Sequence, residues 1–85
     1  MTPVFPANTF LMATLRKSFG QRLREIRASR RMTQEQFAEA LGMSLDFLSL
    51  IERGRNAPSF DTLDRIARKF KLPVTDLFTF SDGFR

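Results

Sequence analysis

Apolar positions recur along this chain at helical spacing, and the polar residues between them punctuate the pattern into short segments. Phe19, Leu23 and Ile26 fall at i, i+4 and i+7, one face of a first helix running from Leu15 or Ser18 to Arg30. Phe37, Ala38 and Leu41 form the stripe of a second helix. Thr33 supplies its N-cap, Gln36 reaches back to complete a capping box, and Gly42 offers the left-handed residue that ends it. Ser44 caps a third helix with Phe47, Leu48 and Ile51 facing inward, and Gly54 stops it. A polar loop, Arg55-Asn56-Ala57-Pro58, leads to Ser59, which caps a fourth helix striped by Phe60, Leu63, Ile66, Ala67 and Phe70. Asp61 and Asp64 lie near the start of that helix and Arg68, Lys69 and Lys71 near its end, as the helix dipole favours. Pro73 opens a last short helix through Val74, Leu77 and Phe78. With no alternating strand pattern and no repeat, the expected class is all-α with five helices, and the glycines read as turn or cap residues.

The periodicity also suggests boundaries. Residues 1–14 are expected to be a flexible arm or upstream extension, because Pro3 and Pro6 oppose helix there and Met12 offers a later translation start. Residues 15–79 form the domain and residues 80–85 a tail. The first residues lack the basic start and apolar core of a signal peptide, and nothing approaches the roughly 20 apolar residues of a membrane span, so the expected location is the cytoplasm with no membrane partner.

Two capped helices separated only by Gly42-Met43-Ser44 make a compact bihelical corner, a helix-turn-helix of helices two and three. Thr33-Gln34, Phe37-Ala38, Leu41-Gly42, Ser44, Phe47-Leu48-Ser49 and Ile51-Glu52-Arg53-Gly54 resemble the signature of Cro/repressor-type (XRE) helix-turn-helix proteins. The resemblance runs from Phe19 to Phe78 and implies a compact lambda-repressor-like domain that binds double-stranded DNA. It also implies that Arg27, which sits beside the apolar stripe of the first helix, pairs with Glu52 as a structural link between helices one and three.

Charge narrows the partner. Fourteen Lys plus Arg against nine Asp plus Glu give +5, which suits a polyanion. Seven cations and one anion lie between Arg16 and Arg31; ordinary solvated charge accounts for most of them. The absence of Cys and His removes disulfides, thiolate and imidazole metal sites and the commonest general base, so no catalytic centre, metal or cofactor is expected.

On the third helix the outward residues Ser44, Leu45, Asp46, Ser49 and Leu50 are the candidates for base contact. They include no Arg, Gln or Asn, the side chains of the common bidentate contacts. A leucine can pack on a thymine methyl; Asp46 either accepts from cytosine N4 or simply favours the helix N-terminus. Thr33, Gln34, Arg53, Arg55 and Asn56 are the candidate phosphate contacts, at helix amide ends and in the loop after the third helix.

Three of the ten phenylalanines fall in the last eight residues. Phe78, Phe80 and Phe84 are therefore the candidate dimer interface of a regulator acting as a homodimer on a near-palindromic operator. Phage repressors, controllers of restriction-modification systems and antitoxins all fit such a chain. An alternative is a protein-interaction module, such as an antitoxin, whose main partner is a toxin or a polymerase and for which DNA binding is secondary.

Overall fold

The computed structural model describes residues 5–81, with side chains from residue 15 onward. It contains α1 (Phe5–Ser29), α2 (Gln34–Leu41), α3 (Leu45–Glu52) and α4 (Phe60–Phe70), followed by a 3-10 helix, Val74–Phe78. One core is shared by all of them: Phe19, Leu23 and Ile26 of α1 meet Phe37 and Leu41 of α2, Leu48 and Ile51 of α3, Ile66 of α4 and Leu77 of the 3-10 helix. Phe37 stacks on Phe70 with ring centroids 4.9 Å apart, joining α2 to the end of α4.

The expected caps form. Thr33 Oγ1 accepts from the Gln36 amide at 3.1 Å, while the Thr33 amide donates to Gln36 Oε1 at 2.9 Å. Gly42 closes α2 at φ 66°, and Ser44 accepts from the Phe47 amide at 3.0 Å to open α3. Ser59 does the same for α4 through the Thr62 amide at 3.1 Å. Local hydrogen-bond chemistry thus sets the two ends of the corner three residues apart.

Four differences from the sequence expectation have physical causes. Helix α1 begins at Phe5 rather than at Leu15 or Ser18, so Pro6 lies in its first turn, where its missing N–H is an orphan in any case. The last element is a 3-10 helix instead of a fifth α-helix. Its Asp76 amide donates to Pro73 O at 2.9 Å, and Arg22 Nε takes the Asp76 carbonyl at 2.6 Å. Phe60 lies outside the buried stripe at 89% exposed, because Thr62 completes the inward face of the first turn of α4. Finally, Gly20 is neither turn nor cap. It lies inside α1 where that helix crosses the end of α3, and a Cβ there would collide with the Ile51 and Glu52 carbonyl oxygens, 2.7 Å from the latter.

Candidate nucleic-acid interface

Glu52, the last residue of α3, has a fully buried carboxylate. Burying an anion is costly unless its lone pairs are satisfied. Here Arg27 Nε meets Oε2 at 2.7 Å and Arg27 Nη2 meets Oε1 at 3.0 Å, a two-point fork from α1. Gln34 Nε2, at the first residue of α2, donates to the same Oε1 at 2.9 Å. The remaining reach of Arg27 goes to the Met32 carbonyl at 3.0 Å, in the turn between α1 and α2. One carboxylate therefore fixes α1, the start of α2 and the end of α3 against one another. Hydrogen bonding to Glu52 raises the Arg27 pKa above its ordinary value, against the opposing effect of burial.

The Arg27–Glu52 pair matches the pairing that the resemblance implied. The Gln34 contact was not anticipated. Its only sequence signal was position, since the first residue of α2 and the last of α3 meet where the two helices form their corner.

Cations of α1, and Arg30 in the turn just after it, are less free than a solvated face would suggest. Arg24 Nη2 lies 3.4 Å from the Glu52 carbonyl at the end of α3, and Arg30 Nη2 donates to the Phe70 carbonyl at 2.9 Å with its guanidinium 4.9 Å from that ring's centroid. Arg65, on α4, donates to Leu41 O at 3.2 Å. With Arg22 on Asp76, these arginines sit on the carbonyl-rich ends of other elements, where orphan acceptors and the helix dipole both attract a cation. Sequence periodicity could not reveal this, because the partners are 24 to 54 residues away.

The outward edge of the corner is polar with a small apolar component. Ser44, Leu45 and Asp46 are exposed at the start of α3, whereas Ser49 and Leu50 are half-buried further along it. Arg53 and Arg55 are exposed just beyond the helix, with Arg53 Nε lying back on Ser49 O at 3.3 Å. Asn56 accepts from the Ala57 amide at 2.8 Å through Oδ1, an interaction that does not use its NH2 group. Thr33 is exposed, and its hydroxyl proton is not used by the capping interaction.

Phe78 packs on Phe19 with centroids 5.3 Å apart, and Phe80 meets Phe78 edge-on at 6.1 Å and packs against the core. Phe80 is therefore half-buried on its own domain, while Phe84 lies outside the described residues. Beside Phe78 runs an apolar groove of about 470 Å³, walled by Leu15, Phe19, Ala57, Pro58 and Leu63, with Phe60 at its edge. Among the described residues no group of three His, Cys, Asp or Glu side chains could hold a metal ion, and no helix is long and apolar enough to cross a membrane.

Comparison with known proteins places these features in a wider set. A helix-turn-helix family model matches residues 23–77. An uncharacterized HTH-type transcriptional regulator of Archaeoglobus fulgidus is 39% identical over 61 residues, covering 72% of this chain and 87% of its own length. The immunity repressor protein of Bacillus phage phi105 is 41% identical over 56 residues, covering 66% of this chain and 39% of the repressor. Among solved structures, the restriction-modification controller protein C.AhdI from Aeromonas hydrophila superposes with a TM-score of 0.72 at 29% identity, over 78% of this chain and 96% of its own.

Proposed function

Since this chain belongs to the helix-turn-helix family of DNA-binding, XRE-type transcriptional regulators, we propose that it acts as a homodimer on a near-palindromic operator and regulates by occupancy. Bound near a promoter, the dimer excludes polymerase or recruits it. The observation that supports this reading is the Glu52 hub, which ties the first residue of α2 and helix α1 to the last residue of α3, with Ser44, Leu45 and Asp46 exposed at the other end of α3. Helix α3 reads bases with those residues, aided by Ser49 and Leu50 at its half-buried flank. Thr33, Gln34, Arg53, Arg55 and Asn56 hold the phosphates on either side. Gln34 keeps one amide proton for a phosphate while the other stays on Glu52.

Similarity to a phage immunity repressor and to a restriction-modification controller supports a regulator governed by its own concentration. Selection of binding sites from a random duplex library tests the reading directly. A dyad-symmetric sequence with half-sites about one DNA turn, roughly 34 Å, apart is expected; recovery of no preferred sequence would overturn it. The exposed apolar groove favours a second reading, a protein-binding antitoxin-type module. Tight, salt-insensitive binding to a toxin or to polymerase, with only weak nonspecific DNA affinity, would select that reading instead.

A further inference from the structure

We propose that the groove between α1, the loop after α3 and the 3-10 helix is where a second copy of this chain docks, with Phe60 of each copy entering the groove of the other. This rests on the homodimer reading above and names its surface. Phe60 is 89% exposed in the first turn of α4, and its ring borders a groove whose walls are apolar: Leu15 and Phe19 on α1, Ala57 and Pro58 in the loop, Leu63 on α4, and Phe78. Knob and hole are thus adjacent on one face. That arrangement is self-complementary under a two-fold axis, since the same patch on each copy supplies both halves of the contact and no surface remains to propagate the assembly.

Charge supports the same occupant. Arg16 lines the groove from α1, Asp61 follows Phe60 on α4, both are exposed, and neither has an ion-pair partner among the described residues. Exchange of Phe60 side chains brings Asp61 of each copy toward the partner's Arg16, so opposite charges meet at the rim of an apolar contact. The loop wall also matters for DNA. Asn56, Ala57 and Pro58 follow directly on α3 and on Arg53 and Arg55, so a contact made there ties the spacing of two recognition helices to the interface itself. Phe80, packed on its own core, contributes through Phe78 and does not reach across.

Sedimentation velocity of the full chain, with titrations onto a selected full operator and onto its half-site duplex, tests the proposal. Phe60→Ser is expected to raise the dimer dissociation constant by about 30-fold or more, the scale of an interface hot spot. Half-site affinity, and the melting temperature at concentrations where both proteins are monomeric, should stay unchanged, because the ring is 89% exposed in its own domain. Arg16→Glu and Asp61→Arg should each weaken the dimer, and their combination should restore it. A Phe60→Ser protein that dimerises like the wild type, with a Phe84→Ser protein that does not, would move the interface to the tail and overturn the inference while leaving the homodimer reading intact. A wild-type chain that stays monomeric at concentrations saturating the operator would overturn both, and leave the groove to a different protein.

Discussion

Arg27, Glu52 and Gln34 carry more of this molecule than their number suggests. Removing either member of a buried ion pair strands the other, which commonly costs about 3 to 5 kcal/mol. Arg27→Met and Glu52→Gln are each expected to lower stability on that scale in thermal or urea melts, and the double variant to lose much less than the sum. Strict additivity would rule out a direct pair. Because the Arg27 pKa is raised, its contribution is complete below the unfolded arginine value and is lost only as pH rises through the higher folded one. Melts between about pH 5 and 9 should therefore show no loss from this group. The exposed Arg55 has, on the proposed reading, a different task, that of holding a phosphate. Arg55→Ala should weaken binding to all duplexes alike and reduce the slope of log affinity against log salt by about 1, whereas Asp46→Ala should alter base preference. A change of specificity in Arg55→Ala with an unaltered slope would remove that loop from the phosphate backbone.

The elements were legible in the sequence where their signals are local. Thr33 with Gln36, Gly42 and Ser44 define the ends of α2 and α3 through hydrogen bonds spanning at most a few residues, and those ends stand where the pattern put them. Elements went astray where the deciding partner was distant. The 3-10 geometry at Val74–Phe78 involves Arg22, 54 residues from Asp76. The exposure of Phe60 reflects which side of α4 the other helices left covered, a fact no single stripe contains. Gly20 makes the point most sharply. Inside an isolated helix, glycine to alanine gains about 1 kcal/mol; here the added methyl would push α1 away from the Ile51 and Glu52 carbonyls. Gly20→Ala is therefore expected to lower the melting temperature, with a loss of about 1 to 3 kcal/mol, and to weaken DNA binding by tilting α3. A raised melting temperature would show that the crossing of α1 and α3 relaxes freely.

For the molecule as a whole, the formal charge of +5 overstates what is available to DNA. Arg22, Arg27 and Arg30 are engaged with carbonyls or a buried carboxylate inside the domain, and Arg24 lies 3.8 Å from that same carboxylate. On the proposed reading, the electropositive surface that faces a duplex is left to exposed cations such as Arg53 and Arg55 beyond α3. Substituting Arg22 or Arg30 by Met should therefore lower stability with little change in the salt slope. A slope that fell by about 1 with either change would assign that side chain to a phosphate. The candidate interface was readable from the sequence to the extent that it follows from the bihelical corner. The groove was not, since it is assembled from Leu15, Pro58 and Phe78, residues brought together only by folding.

Because Glu52 anchors α3 from its buried side, the opposite side of that helix is free to vary. Leu45 and Asp46 are exposed and lie outside the shared core, so on the proposed reading the domain is a chassis whose address can be rewritten without rebuilding its frame. Replacing Leu45 with Gln and Asp46 with Asn would supply the amide groups that read adenine, and it should redirect site selection while leaving the melting curve within about 0.5 kcal/mol of the parent. Divergence among chains built this way can then proceed one exposed position at a time, each new operator preference arising on an unchanged scaffold.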